Sequence, residues 1–303
     1  MHDSDKHSKT HAKPFVKWVG GKSQLISSID KVLRCKLHRI SALTYIEPFV
    51  GGGAVLFWVL GHLKNISKAI INDINPDLTK SYQTIRDNAS ELIIELKRME
   101  KEYKTLQSEE GRKEFYLAQR KIFNTEKLDN IDNTALFIFL NRTCFNGLYR
   151  VNAKGLFNVP FGKYTNPTIC DEDTIFVDSE CLQKVEILTG DFEQTGSYAS
   201  ENTFFYFDPP YKPLSKTSNF TSYAKEDFND DEQIRLKRFC DKLHKSGYLW
   251  VLSNSDIKSH DPSNDFFDEL YSDYTINRVW ASRSVNANPE KRGKLTELLI
   301  TNL

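Results

Sequence analysis

Apolar and polar positions along the chain follow two periods, and the points where the period changes divide it into segments. Residues 44–50, Thr-Tyr-Ile-Glu-Pro-Phe-Val, read as a β-strand that runs into Gly51-Gly52-Gly53 and then into the apolar, helix-like stretch 54–63. A second strand over 68–73 follows at once and ends in Asp73. Strand, glycine turn, helix and strand in that order open a parallel α/β sheet with a nucleotide-sized crevice at the strand ends. From residue 76 to about 139 the pattern becomes long and charged, with apolar residues at helical spacing such as Leu92, Ile93 and Leu96, and predicts an inserted helical unit. Strand signals return at 185–188 and at 203–207, where Thr-Phe-Phe-Tyr-Phe ends in Asp208-Pro209-Pro210-Tyr211. Residues 230–245 have an acidic first turn, apolar Ile234, Phe239 and Leu243, and Gly247 as a stop, which predicts a helix feeding a strand at 248–252. The tail offers strands near 276–281 and 298–301. The expected organisation is an α/β core from residues 14–75 and 169–303, interrupted by a unit over 76–168. Residues 1–13 lack apolar periodicity and are expected to be a disordered extension.

Composition narrows the class only a little. With 39% apolar and 27% charged residues in 303, the chain resembles an ordinary soluble protein. No apolar stretch approaches the roughly 18 to 20 residues that span a bilayer, and the polar head is not a signal peptide, so a cytoplasmic protein without membrane contact is expected. Five cysteines without any CxxC, and histidines without ligand spacing, predict reduced thiols and no metal site. Forty-one basic and 41 acidic side chains cancel, so any nucleic-acid site must be local. Residues 141–164 fit: they carry Arg142, Arg150, Lys154 and Lys163, no acid, and interleaved Phe145, Tyr149, Phe157 and Phe161. Basic groups suit phosphates, and aromatic faces suit bases.

Several motifs carry chemistry. Phe49-Val50-Gly51-Gly52-Gly53 sits where strand turns into helix, and glycine there lets backbone approach a ligand. It departs from the dinucleotide GxGxxG pattern, since the third glycine position is Leu56. Asp73, about twenty residues on, lies where an acid accepts hydrogen bonds from ribose hydroxyls, so turn and acid together suggest an adenosine-type ligand. Gly21-Lys22-Ser23 imitates a phosphate loop, but the required earlier glycine would be residue 16, which is valine. The loop Lys17-Trp18-Val19-Gly20-Gly21-Lys22 can instead close over a flat-ringed, carboxylate-bearing cofactor, although taken alone a surface turn fits as well. Asp208-Pro209-Pro210-Tyr211 is the sharpest feature. Two prolines remove two backbone donors and fix φ, leaving a rigid turn rich in acceptors. Such a turn suits an exocyclic amine whose lone pair is delocalised into a ring, because Asp208 Oδ and the Pro209 carbonyl can hold its two hydrogens. Tyr211 offers a face for a base extruded from the duplex. Pro76-Asp77 with Glu95-Leu96-Lys97 imitates a nuclease metal motif, but Glu95 belongs to a helical pattern rather than a strand.

Together these residues resemble the Dam family of DNA adenine methyltransferases, most closely its DpnII/MboI-type GATC modification enzymes, over nearly the whole chain. The resemblance implies a Rossmann-like S-adenosylmethionine-dependent methyltransferase sheet with an inserted, mainly helical DNA-recognition domain over 76–168 carrying a β-hairpin at 141–164. It implies an adenine-specific DNA methyltransferase that transfers methyl from S-adenosyl-L-methionine to N6 of a flipped adenine in double-stranded GATC sites, without metal. Catalysis falls to Asp208, Pro209, Pro210 and Tyr211. The implied cofactor positions are Trp18, Lys22, Phe49, Gly51, Gly53, Asp73 and Asp208, with Asp191 and Phe192 of Gly190-Asp191-Phe192 beside the cofactor adenine. Lys17, Arg142, Phe145, Asn146, Leu148, Arg150 and Pro160 are the implied DNA-binding positions. Arg150 matches an arginine that reads guanine, and Phe145 an aromatic that enters the base stack; where some members have tyrosine there, its hydroxyl contact is lost. A cognate restriction endonuclease is an expected partner, and the chain is expected to be a monomer or weak dimer. Two competing readings are an enzyme acting on RNA or a protein glutamine amide, and a DNA-binding regulator with a dead site. Asp at 208 and the basic aromatic segment oppose the glutamine substrate, and intact Trp18, Lys22, Asp73 and Asp208 oppose the regulator.

Overall fold

A computed structural model describes residues 11–22, 25–37, 39–212, 228–282 and 294–303. Seven strands form one sheet in the order β3-β2-β1-β4-β5-β7-β6: β1 Leu43–Glu47, β2 Ile66–Asp73, β3 Val185–Thr189, β4 Thr203–Phe207, β5 Leu249–Ser255, β6 Thr275–Ser282 and β7 Lys294–Thr301. The first five are parallel, and β7 runs antiparallel to both β5 and β6. All five residues of β1 and of β4 are buried, as expected of strands covered on both faces. The pleat sends Phe204 and Tyr206 into one core and Phe205 and Phe207 into the other. The mixed α/β architecture expected from the periodicity is present.

The first core lies under α1 Ile26–Leu37, α2 Ala54–His62, α3 Pro76–Asp87, α4 Ala89–Thr105, α5 Glu109–Thr125, α6 Asn130–Thr143 and α7 Glu172–Leu182. The second lies under α8 Asp230–Lys245 and the short α9 Phe266–Leu270. Helix starts are written locally. Pro76 opens α3 behind Asn75, whose side chain accepts from Asp77 N and Leu78 N, while Ser108, Asp129 and Asn229 cap α5, α6 and α8. The nuclease-like Asp77 and Glu95 thus sit on helices α3 and α4 rather than on adjacent strands. Helix α3 packs on β2, β3, α6 and α7, and so touches both the sheet and the helices that follow it. The segment after α6 forms a narrow loop tied by two isolated antiparallel bridges, Cys144 with Phe161 and Val151 with Phe157. Helix α7 escapes a periodicity reading, α1 adds an unexpected element although apolar residues recur at helical spacing at 26, 29, 33 and 37, and β5 runs three polar residues past Leu252.

Of the expected extension 1–13, residues 1–10 lie outside the described residues. Lys13 is held: its N–H donates to Asp178 Oδ1 at 3.1 Å, and its ammonium pairs with Asp171 at 3.2 Å.

Candidate active site

The carboxyl ends of the parallel strands gather the motif residues, because each strand delivers its last side chain to the same edge of the sheet. At the end of β1 the chain turns through Gly51, with φ +49°, and Gly53, with φ +77°, a conformation glycine adopts without cost. A Cβ on Gly51 would lie 2.9 Å from Trp18 Cδ1, so the indole packs directly on the turn. At the end of β2, Asp73 accepts from Gly51 N at 3.1 Å and from Asn75 N at 2.9 Å. Burial raises its carboxyl above the ordinary value, against the pull of these backbone donors. Ile74, the next residue, is 77% exposed, an apolar side chain left uncovered beside the acid. Glycine turn, acid, apolar surface and indole fit an adenosine-bearing ligand.

At the end of β4, Asp208 Oδ1 meets Lys22 Nζ at 3.0 Å and accepts from Ser253 Oγ at 2.9 Å. Lys22 is itself buried, donates to the Gly20 carbonyl at 2.5 Å, and lies 4.3 Å from the Tyr211 ring centroid. Burial raises the Asp208 carboxyl, and the Lys22 ammonium opposes that shift. The loop that imitates a phosphate site therefore places its lysine on the aspartate of the Asp-Pro-Pro-Tyr turn; Ser23 lies outside the described residues. Nearby Glu47 is buried and accepts from Tyr45 OH at 2.7 Å, and burial drives its carboxyl well up, with Asp208 and Asp73 adding to the rise. The turn beyond Asp208 is clamped from β5 and α8. Gln233 Nε2 donates to the Pro210 carbonyl at 3.1 Å, and Asn254 joins Gln233 Oε1 at 3.1 Å to Lys212 N at 3.3 Å. Tyr211 OH donates to Glu297 Oε2 of β7 at 2.7 Å.

Asp191 and Phe192 follow β3. The Asp191 carboxylate is gripped by Arg235 of α8 at 3.0 and 2.6 Å, which holds its pKa below the ordinary range. Phe192 is buried against Phe49, with ring centroids 5.3 Å apart.

An arm leading into Lys22 crosses between this corner and the loop after α6. Trp18 stacks on Tyr149 at 5.6 Å, and the buried Asn141 amide bonds both Lys17 N and Lys17 O, at 2.8 and 2.9 Å. Arg142 turns inward and donates to the Phe15 carbonyl at 2.7 Å, and burial lowers its pKa. Phe145 is 51% exposed, Asn146 beside it has φ +56°, and Lys17 and Pro160 are exposed as well. Leu148 is partly buried. Arg150 is braced by Asn158, whose Oδ1 accepts from Nε at 2.7 Å.

The structure thus brings Trp18, Lys22, Gly51, Gly53, Asp73 and Asp208 to one corner, sets Phe49, Asp191 and Phe192 beside it, and leaves Lys17, Phe145, Asn146 and Pro160 on an open face. Ser253, Asn254, Gln233, Glu297 and Arg235 were not foreseen. A polar run Ser253-Asn254-Ser255 straight after an apolar strand was the available signal for the first two. Among the described residues no group of three or more His, Cys, Asp or Glu could hold a metal ion, and no helix is long and apolar enough to cross a membrane.

Residues 18–285 match the family model of the D12 class N6 adenine-specific DNA methyltransferases. The chain is 50% identical to Type II methyltransferase M.MjaIII of Methanocaldococcus jannaschii, over 96% of this chain and 99% of that one. It is 38% identical to Type II methyltransferase M1.LlaDCHI of Lactococcus lactis subsp. cremoris over 97% of each, and 34% identical to the DNA adenine methylase of Haemophilus influenzae over 96% and 94%. The family uses S-adenosylmethionine and acts on DNA, and this chain belongs to it: it is an adenine-specific DNA methyltransferase of the D12 class.

Proposed function

We propose that the enzyme methylates N6 of an adenine rotated out of duplex DNA, at GATC sites, as the protective partner of a restriction endonuclease. The observation that carries the chemical part is the Lys22–Asp208 pair at 3.0 Å, which joins the N-terminal loop to the catalytic motif at the strand ends. S-adenosylmethionine, when bound, supplies an electrophilic methyl group. Trp18, Phe49, Gly51, Gly53 and Asp73 would hold it, with Asp191 and Phe192 beside its adenine and Lys22 and Asp208 at its amino-acid end.

The residues of this chain do the rest. Lys22 and Ser253 both contact Asp208 Oδ1, so Oδ2 is the oxygen to accept from the target amine. The Pro209 carbonyl takes the second hydrogen. Held by two acceptors, the nitrogen concentrates its lone pair toward the electrophile, an alignment that substitutes fixed dipoles for solvent reorganisation. Pro210 keeps the turn rigid, and Tyr211, tied to Glu297, presents its ring to the base. A flipped base is required because N6 cannot meet the methyl group inside the stack.

Lys17, Phe145, Asn146, Leu148, Arg150 and Pro160 form the DNA face, with Arg142 behind it fixing the arm. Phe145 is exposed and apolar, as a residue entering the stack must be, and Arg150, whose Nε and NH2 are held by Asn158, keeps NH1 and the second NH2 hydrogen as donors for guanine O6 and N7. The partner endonuclease is suggested by the relatives named Type II methyltransferases. A monomer or weak dimer acting in the cytoplasm completes the reading. Tritiated methyl transfer tests it: label should enter an unmethylated GATC duplex and not one premethylated at both adenines. Equal labelling of the two would overturn the site assignment, and label on RNA alone would overturn the substrate.

A further inference from the structure

Helix α8 contributes a side chain that neither the catalytic motif nor the glycine turn accounts for. Arg235 is one-third exposed and directs its nitrogens at three carboxylates. NH1 and NH2 donate to Asp191 Oδ1 and Oδ2 at 3.0 and 2.6 Å, Nε and NH2 donate to Glu232 at 3.1 and 2.6 Å, and Glu193 lies 3.6 Å from NH1. Its guanidinium carbon also sits 4.2 Å from the centroid of the Phe192 ring. One cation thus fixes both members of the Asp191-Phe192 pair, the carboxylate through a fork and the ring by stacking.

An exposed ion pair ordinarily contributes little, because solvent screens it and two side chains lose freedom. This cluster differs in balance: three acids share one base, so without Arg235 the carboxylates of Asp191, Glu193 and Glu232 would repel one another, and the half-exposed Asp191 would keep only its bond from Glu193 N. Acceptor counting gives the arrangement a further meaning. An ionised carboxylate has about four acceptor sites. Asp191 uses one on Oδ2 for Arg235, and two on Oδ1 for Arg235 and for Glu193 N, the latter at 2.9 Å. One site on Oδ2 is left for an external donor. Asp191 also stands next to the acid of the glycine turn, since Gly190 N donates to the Asp73 carbonyl at 3.0 Å.

We propose that Arg235 is the positioning residue for the cofactor's adenine ring, holding Asp191 so that its remaining acceptor site meets the exocyclic amino group. This rests on the reading that Asp191 and Phe192 border the adenine. The test is calorimetric binding of S-adenosyl-L-homocysteine and of S-inosyl-L-homocysteine, which carries a carbonyl oxygen in place of the amino group. Wild-type enzyme should prefer the adenosyl form by about tenfold, because the half-exposed Asp191 carboxylate can accept from an amino group but meets only another acceptor in the carbonyl oxygen. Arg235→Met keeps the aliphatic stem over Phe192 and removes the fork. It should weaken the adenosyl form about tenfold and bring the preference close to unity, while KM for S-adenosylmethionine rises and kcat at saturation falls less than about twofold. Arg235→Lys, with charge but no fork, should recover part of the preference. A wild-type enzyme indifferent to the amino group would defeat the reading of Asp191. A wild-type preference that survives intact in Arg235→Met overturns the role of Arg235 alone. Should Arg235→Met not fold, an unchanged preference in Arg235→Lys overturns it equally.

Discussion

The corner around Asp208 and the loop around Phe145 are built on opposite plans. At the corner, Asp208 bonds Lys22 and Ser253 while Asn254 bonds Gln233, and of these five every residue except Asp208 is buried. At the loop, two isolated bridges tie the chain and an aromatic ring stands half-exposed. The chemistry needs donors and acceptors fixed before the substrate arrives, because reorganising them during transfer would add to the barrier. The DNA contact proposed for the loop needs an uncovered apolar side chain, so burial of Phe145 would defeat it. The N-terminal arm connects the two plans, since Lys17 and Trp18 touch the loop while Lys22 completes the corner.

The largest expected effect comes from Asp208→Ala. Methyl transfer should fall at least about a thousandfold, while duplex affinity changes less than about threefold. Single-turnover label transfer beside a fluorescence-anisotropy titration makes the comparison; a parallel loss of both would dissolve the separation of corner from loop. Circular dichroism on the same preparation guards against reading an unfolded chain.

Next is the anchor of the arm. Asp178 is fully buried with Oδ2 unpartnered, and burial pushes its carboxyl up to about 8 from 3.8. A carboxyl raised in the folded state favours folding fully below its unfolded pKa, and this contribution is lost as pH rises through about 8. Asp178→Asn keeps an acceptor for Lys13 N without the charge. Its unfolding free energy should therefore gain on wild type by up to about 1.4 kcal/mol per pH unit between pH 5 and 8. Parallel urea-unfolding curves for the two proteins across that range would reject a neutral anchor.

Asn254→Ala tests the corner as structure rather than chemistry. Removing an amide that is fully buried and satisfies Gln233, Lys212 and Ser255 should cost about 2 kcal/mol of stability. Chemical denaturation measures it, and a change below about 0.5 kcal/mol would mean that the turn holds itself. Phe145→Ala is the mirror case and the smallest effect. Stability should stay within about 0.5 kcal/mol of wild type, because the ring is exposed. Fluorescence of 2-aminopurine at the target position should still drop on this variant, since the ring is proposed to occupy the opened stack. A destabilised Phe145→Ala protein with unchanged flipping would reverse the contrast.

Much of this was legible in the residues. The strand-turn-helix opening, the helices after Pro76 and the aromatic strand before Asp208 follow from period, glycine and proline, all short-range properties of backbone sterics and burial. The class of chemistry followed from the glycine turn, Asp73, Trp18 and the proline turn taken together with the family they resemble, and the family match bears that class out. The helix α7 escaped because its apolar residues Ile175, Phe176 and Val177 are consecutive and so do not mark a face, and β5 was read short because polar Ser253, Asn254 and Ser255 continue it.

By itself, then, the chain specified its elements, its glycine turn and the family to which it belongs. The tertiary structure alone decided what surrounds them. Lys22 and Asp208 are separated by 186 positions, Tyr211 and Glu297 by 86, and Asp191 and Arg235 by 44. Those pairs form because a parallel sheet brings all its strand ends to one edge, and because an antiparallel β7 enters beside β5. Which side chains meet at that edge depends on strand order, and strand order is a consequence of packing two cores at once rather than of any local pattern.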